Sequence, residues 1–352
     1  MSNETTKTVM FSRYPSIELS EKEFIIDKIR KHGYALRPYV ITEKIHGANT
    51  QICYNCITGE FEYGKRTGVL EFDEKFYGVQ ACFENIKENI TDLATYLKPT
   101  LTKKLEVVKV FGEIFGGTYP HPDIQRDTHA TKVQKGVYYS PSNHWLAFDI
   151  AYKLEGDLRT YFLGAEDFFL ACGACAIGTV PLLAIVNTLD DALAYPNNNP
   201  SVVYKLYDLP EIENNIMEGV VIRPSKCDLW MGDTRVILKN KNQTFKEKSH
   251  IKRPDLTREY SDNLKVSLEE VSTYITENRV DNVISHIGEV KEADIGKVIG
   301  LTAKDVMEEF VKDSKTYNLL EKPEAKILSK RIATLTAPVV RQAIYKRLME
   351  EA

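Results

Sequence analysis

Lys44, His46, Gly47 and Asn49, in the run Lys44-Ile45-His46-Gly47-Ala48-Asn49, stand far upstream of Glu218, in Glu218-Gly219-Val220-Val221, and of Lys239 and Lys241, in Lys239-Asn240-Lys241. One candidate nucleophile, one acid and two cations make a complete set for attack on a nucleotide phosphate. Each piece alone is weakly specific, since a lysine beside a histidine and a glycine recurs by chance at strand-to-loop junctions. The order and spacing of all three carry the argument.

A free lysine has a pKa near ~10.4, so at neutral pH only about one molecule in a few thousand carries the neutral amine that attacks phosphorus. Like charges disfavour the ammonium form, and Lys239, Lys241 and a divalent metal would supply them. A depression of ~3 units corresponds to roughly 4 kcal/mol of differential interaction. If Arg235 to Lys241 form a strand, residues 239 and 241 share a face at roughly 7 Å and can grip adjacent phosphates. Lysines on a solvated edge strand, where they discourage pairing with other chains, are the competing reading of that segment.

The set resembles the covalent nucleotidyltransferases, and within them the RNA ligase 2 family of phage and RNA-editing ligases, over nearly the whole chain. The resemblance implies that ATP adenylates Lys44, with His46, Asn49, Glu218, Lys239 and Lys241 completing the catalytic group. It further implies nucleotide contacts from Glu43 and Ile45 beside the lysine, from Arg66 on sugar and phosphates, and from Glu113 on the ribose hydroxyls. Phe148 would stack on adenine, Val221 would pack on the base, and Lys239 and Lys241 would hold phosphates. Glu218 and His46 would hold Mg2+ or Mn2+ through waters.

Read from the residues alone, Arg66 is also a salt-bridged turn residue, and Phe148, in the apolar run Trp145-Leu146-Ala147-Phe148, is by default a core residue. Glu113, in Phe111-Gly112-Glu113-Ile114-Phe115-Gly116, is a strand carboxylate that needs a partner in any case, with glycines around it that permit close approach of a ligand.

The activity implied is ATP-dependent sealing of 3′-hydroxyl and 5′-phosphate RNA ends, at nicks in duplex RNA, by a monomer that engages no membrane. The alternatives are a DNA ligase or an RNA-capping guanylyltransferase of the same superfamily, or a non-catalytic protein that binds nucleic-acid ends with a vestigial pocket. The fold implied is α+β: an adenylation domain of antiparallel sheets with flanking helices over residues 1–250, then a small all-α domain over 251–352.

Composition bounds these readings. A chain of 352 residues points to two domains, each able to bury a core. Apolar and charged fractions of 43% and 27% are those of a soluble globular protein. No run reaches the roughly eighteen apolar residues of a membrane helix. The start, Met1-Ser2-Asn3-Glu4, lacks the look of a secretory or transit leader, so the expected location is cytoplasmic, or the host cytoplasm for a viral source.

The net charge of -4 argues against wholesale coating of nucleic acid and directs attention to a local patch. From Arg235 to Arg253 the chain has Arg235, Lys239, Lys241, Lys246, Lys248, Lys252 and Arg253 against Glu247 alone, which predicts salt-sensitive phosphate binding. Cys53 and Cys56, and Cys172 and Cys175, have zinc-ligand spacing, but their strand-like and apolar contexts favour buried thiols. The stretch from Gly117 to Gly136, with His121, Asp123, Arg126, Asp127, His129 and Lys132, reads as a solvated loop in preference to one that touches nucleic acid.

Alternation predicts strands over Tyr39 to Thr42, Thr50 to Tyr54 and Phe61 to Lys65, with a turn at Ile57 to Glu60. A helix is expected over Glu84 to Leu97, and strands over Glu106 to Glu113, Trp145 to Lys153 and Gly178 to Ile185. Thr188 should cap a short helix over Leu189 to Ala194, and two further strands should carry Glu218 and the lysine pair. Beyond Pro254 the spacing becomes helical: Leu268, Val271 and Ile275; then Val280, Val283, Ile284 and Ile287. Thr302, with Asp305, should cap a helix holding Val306, Phe310 and Val311, and Thr336 should precede a last helix holding Ile344 and Leu348. No run of short alternating strands follows the lysine pair, which separates this tail from ligases that end in a β-barrel.

Overall fold

The structure is a computed structural model and describes residues 10–71, 73–101, 103–245 and 260–351. The chain forms two compact units, Met1–Asn242 and Gln243–Ala352. The boundary expected at 250/251 lies among residues 246–259, outside the described residues.

The first unit is built on two antiparallel sheets, as the α+β expectation requires. One contains β1 (Glu18–Leu19), β2 (Tyr39–Glu43), β9 (Leu182–Val186), β10 (Gly219–Pro224) and β13 (Leu238–Lys241), in the order β1-β13-β10-β2-β9. Its pairings are antiparallel except that of β1 with β13. The other runs β5-β4-β3-β6-β7-β8, from β3 (Ala48–Asn55), β4 (Phe61–Lys65), β5 (Gly68–Val69), β6 (Leu105–Thr118), β7 (Ser140–Leu154) and β8 (Tyr161–Phe162). A hairpin of β11 (Trp230–Met231) and β12 (Thr234–Arg235) stands apart.

Local chemistry explains the joins. At the expected turn after β3, the Asn55 side chain accepts hydrogen bonds from the N–H groups of Ile57 and Thr58 at 2.9 and 3.0 Å. Thr188 caps α4 (Leu189–Leu193) by accepting from Asp191 N–H. On the first sheet lies α1 (Glu23–Lys31), whose Ile25, Ile26 and Ile29 share a core with Tyr39, Ile41 and Ile222. On the second lie α2 (Val79–Leu97) and α3 (Ala165–Ala174), packed with Ile52, Val110, Ile114 and Ile150.

Several boundaries differ from the sequence expectation. Helix α2 begins at Val79 rather than Glu84, because Gly78 at φ 68° turns the chain and buried Val79 and Phe83 extend the apolar stripe of Ile90, Leu93 and Leu97. Strands β6 and β7 are longer than predicted and tolerate irregularities of register between Phe111 and Gly112 and between Gly116 and Thr118. The strand expected over Gly178 to Ile185 forms only from Leu182, Thr179 making an isolated bridge to Ala147. The single strand expected from Arg235 to Lys241 is divided: Arg235 ends the β12 hairpin strand and β13 starts at Leu238.

The second unit is helical: α5 (Asp262–Ser272), α6 (Glu277–Ile287), α7 (Ile295–Asp313) and α8 (Lys322–Glu351). Ser261 and Thr276 cap α5 and α6 by accepting from Leu264 and Arg279 N–H groups. The expected stripes are core: Leu268, Val271 and Ile275 pack with Val306 and Phe310, and Val280 and Ile284 with Ile344.

Two expected helix starts are wrong. Thr302 is fully buried inside α7, and Asp305 pairs with Arg279 instead of closing a capping box. Thr336 lies within α8, where its hydroxyl donates to the Ile332 carbonyl at 2.8 Å. A threonine satisfied by the preceding turn has no need of a helix start, and the sequence does not distinguish the two uses. Among the described residues, no helix is long and apolar enough to cross a membrane.

Candidate active site

Strand β2 delivers Lys44 and β10 follows Glu218, and the two strands are neighbours paired Val220 with Glu43 and Val221 with Thr42. The Lys44 N–H donates to the Gly219 carbonyl at 2.9 Å, which fixes the lysine at the end of the ladder. Its ammonium donates to Glu218 Oε2 at 2.6 Å. On the other side β10 pairs with β13, Gly219 opposite Lys241, and the Lys241 ammonium lies 3.0 Å from Glu218 Oε1. His46 Nδ1 stands 3.4 Å from Glu218 Oε2. Three segments distant in sequence thus converge on one carboxylate that is 1% exposed.

Burial by itself would raise the Glu218 carboxyl, but Lys241, Lys44 and His46 together hold it well below the usual carboxylate range. The acid is therefore a fixed negative charge around which the cations are arranged. The amine expected to be depressed by neighbouring cations is held as one half of an ion pair with the acid of the same set.

Gly47 is dictated by space: a Cβ there would lie 2.2 Å from the Ile114 carbonyl oxygen. Its N–H bonds the Glu113 carboxylate, and Glu113 faces Asn49 across the β3–β6 ladder. Burial pushes the Glu113 carboxyl up to about 8, with Glu218 adding to the rise and Lys44, Gly47 N–H and Arg66 opposing it. Glu113, Asn49 and Arg66 are therefore grouped with Lys44. The Arg66 guanidinium donates to the Tyr14 carbonyl at 3.2 Å, and its N–H bonds the Asn49 carbonyl.

The remaining expected residues are distributed as follows. Phe148 sits edge-on to Tyr14, ring centroids 5.1 Å apart, and its carbonyl accepts from Arg223. Val221 pairs with Lys239 in the ladder, next to the half-buried Lys239 side chain. Ile45 is buried. The Glu43 side chain is 1% exposed and accepts from Val202 N–H at 2.9 Å, while its other oxygen has no partner among the described residues.

That position makes Glu43 a titration centre. Burial pushes its carboxyl up to about 7, against the hydrogen bonds from Ser201 and Val202. A folded-state value above the unfolded one means that the stability it contributes is complete below about pH 4.5 and is lost as pH rises through about 7. The loss amounts to roughly 3 kcal/mol. Glu43→Gln keeps the acceptor for Val202 and cannot ionise, so thermal unfolding is expected to show a flatter decline between pH 5 and 8 than wild type. An unchanged pH profile would contradict this placement.

The basic patch expected from Arg235 to Arg253 is corrected in its first half, and Lys246 to Arg253 lie outside the described residues. Arg235 is buried and Lys241 is ion-paired to Glu218, so neither is a surface cation. Arg235 instead joins Arg223 and the Tyr14 hydroxyl on Asp149, which is 0% exposed. Burial would raise Asp149, and Arg235 and Arg223 overcome that to hold it below its ordinary value. This network links β7 of one sheet directly to β10 and β12, with the N-terminal Tyr14 as a further partner of Asp149. Its sequence signal was Asp149 itself, a lone acid in an apolar run, where a charge demands buried partners.

Two more residues escaped the sequence reading. Tyr139 is buried and its hydroxyl accepts from His46 N–H at 2.8 Å. Gln134, also buried, donates to the Gly47 carbonyl at 3.2 Å. The loop expected from Gly117 to Gly136 is solvated only in part: Asp123, Arg126, His129 and Lys132 are exposed, while Val133 and Gln134 are buried, as are Val137 and Tyr139 just beyond it, and Gln134 and Tyr139 bond the segment after Lys44. All six cysteines are free, and among the described residues no group of three or more His, Cys, Asp and Glu is placed to hold a metal by itself.

The profile of the RNA ligase family matches residues 37–241, and that of the T4 RNA ligase 2 C-terminal region matches residues 258–337. The chain is similar to mitochondrial RNA-editing ligase 2 of Trypanosoma brucei brucei, with 29% identity over 87% of this chain and 84% of that protein. It is similar at 27% to mitochondrial RNA-editing ligase 1 of the same organism, over 86% of this chain and 76% of that one. Among solved structures it resembles a Naegleria gruberi RNA ligase with PPi, at a TM-score of 0.42 and 14% identity over 67% of this chain. The chain spans 57% of the length of that Naegleria chain. With its motifs converging on Glu218 and the family profile covering residues 37–241 out of 352, the chain belongs to the RNA ligase family.

Proposed function

We propose that the protein is an ATP-dependent RNA ligase that seals 3′-hydroxyl and 5′-phosphate ends at nicks in duplex RNA. The observation that carries this is the placement of the Lys44 amine 2.6 Å from Glu218, with Lys241 and His46 on the same carboxylate.

The reaction proceeds by three phosphoryl transfers that balance without any redox partner. The Lys44 ammonium first gives a proton to solvent; its Nζ lone pair then forms a bond to the α-phosphorus of ATP while the bond to pyrophosphate breaks, and a second nitrogen proton leaves to solvent, giving lysyl-AMP. An oxygen of the RNA 5′-phosphate then takes the AMP from Lys44. Finally the 3′-hydroxyl attacks that 5′-phosphate, its proton leaves, and AMP departs.

In each transfer the chain supplies positioning and charge rather than covalent chemistry. For attack the Lys44 amine must separate from Glu218, and His46 and Lys241 remain to share that carboxylate. Lys239 and Lys241 neutralise phosphate oxygens, Arg66 and Glu113 address the sugar, and Phe148 and Val221 the base. The donors near the amine, one carboxylate and one imidazole, fit Mg2+ or Mn2+ that keeps waters and takes its other ligands from phosphates. Such an ion, when bound, counters the negative charge that develops during transfer.

The same proposal includes a monomer, in which Lys44, His46 and Lys241 gather on Glu218 without needing a second copy. It also includes a cytoplasmic location, or the host cytoplasm for a viral source, which suits six free thiols of which Cys227 is exposed. The test is a panel of nicked duplexes differing only in whether the strands at the nick are RNA or DNA, incubated with ATP or GTP. Sealing is expected with ATP and RNA at the nick. Preference for DNA strands at the nick, or GMP transfer, would overturn the reading.

A further inference from the structure

We propose that the exposed face of α8 is a second nucleic-acid surface, on which Lys326, Lys330 and Arg341, with Lys322 at the helix start, bind the phosphate backbone of duplex RNA. The ligand class rests on the ligase reading above; the surface itself stands on charge segregation.

Residues 260–351 carry 16 acids against 14 Lys and Arg, so this unit as a whole does not favour a polyanion. Yet from Ala325 to Met349 there is no acid at all, and Lys326, Lys330, Arg331, Arg341, Lys346 and Arg347 fall in that stretch. Two of these cations are turned to other helices: Lys346 lies 3.1 Å from Glu277 and Arg347 lies 2.8 Å from Asp281. Lys322, Lys326, Lys330 and Arg341 are exposed and form no ion pair with a described residue.

Helical geometry puts these four together. At about 100° per residue Lys326, Lys330 and Arg341 fall within a sector of roughly 60°, and Lys322 widens it to roughly 100°. From Lys326 to Arg341 the helix advances roughly 22 Å, a length that spans several phosphates of one strand. A merely solvated helix face would mix the signs of charge along its length, as α7 does with Lys304, Asp305, Glu308, Glu309, Lys312 and Asp313.

A second feature lies beside the stripe. An open groove of about 760 Å³ between α7 and α8 is lined by Ala303, Met307, Lys312, Ser329 and Ala333, with Lys304 and Glu308 also on its wall. Ser329 and Ala333 follow Lys326 and Lys330 by three residues each, so the two lysines stand at the rim of the groove. Lys312 adds a cation from the opposite wall. A phosphate ribbon along α8 therefore meets positive charge from both helices.

The test uses the full chain and a blunt-ended RNA duplex titrated at several salt concentrations. The variant Lys326→Gln/Lys330→Gln/Arg341→Gln is expected to bind about tenfold or more weakly, with the slope of log K against log salt smaller by roughly 2 to 3. Its lysyl-AMP formation and thermal midpoint should equal those of wild type. The control Lys265→Gln/Lys297→Gln/Lys315→Gln, which removes the same charge elsewhere in this unit, should leave binding and slope unchanged. The conservative set Lys326→Arg/Lys330→Arg/Arg341→Lys should retain them. Unchanged affinity and slope in the α8 variant, or equal weakening in the control, would overturn the proposal. A wild type that forms no lysyl-AMP would instead fail the ligase reading, which separates the two.

Discussion

Glu218→Ala is expected to abolish AMP transfer and to destabilise the first unit by about 3–5 kcal/mol, the range for removing one member of a buried ion pair. Lys44, His46 and Lys241 would then face one another without the carboxylate that now lies within 2.6 to 3.4 Å of each. Lys241, 7% exposed, suffers most, since water cannot replace the lost partner. Urea unfolding measures the stability loss and labelled ATP the loss of transfer. A second-site change gives an internal check: Glu218→Gln/Lys241→Met should be more stable than Glu218→Gln alone, because the orphaned charge has been removed along with its partner. If the double variant is less stable than the single, the pair is not coupled as the distances indicate.

Asp149→Ala should be at least as damaging. It leaves the guanidiniums of Arg223 and Arg235, 6% and 5% exposed, buried without their shared counter-charge, and it strips the Tyr14 hydroxyl of its acceptor. A loss of about 3–5 kcal/mol is at least about a fifth, and up to the whole, of the roughly 5–15 kcal/mol that holds an ordinary domain folded. The expected result is a protein that is largely insoluble or unfolded at 37 °C. Tyr14→Phe removes only one neutral donor from the same acid and should cost about 1–2 kcal/mol, leaving a soluble protein in which the effect on sealing can be measured. Thermal midpoints in the order wild type, Tyr14→Phe, Asp149→Ala support the network, whereas an Asp149→Ala protein as stable as wild type would refute it.

The parts of the site that were legible in the sequence are those defined by short motifs on strand ends. Lys44, Glu218 and Lys241 meet because β2, β10 and β13 are adjacent, and that adjacency follows from the family pattern rather than from any local propensity. What was illegible depends on long-range partners. Arg235 looked like one cation in a basic run, and only the register of the sheets shows that Asp149 and Asp228 claim it. Glu43 was expected to contact nucleotide because it adjoins Lys44, but alternation along β2 sends neighbouring side chains to different surroundings, and Glu43 meets Val202. Gln134 and Tyr139 lie in a stretch whose polar first half masked the return of the chain to the core. Thr302 and Thr336 were misread for different reasons: the Thr336 hydroxyl bonds the preceding turn of its own helix, a use that leaves the same mark in a sequence as a cap, whereas Thr302 is buried with its hydroxyl unbonded among the described residues.

The most direct test of the central claim is mass analysis of peptides from protein incubated with ATP and magnesium, then denatured. AMP should be found on the peptide that contains Lys44, and Lys44→Arg should carry none. Stable AMP on a different lysine, or active sealing by Lys44→Arg, would contradict the account.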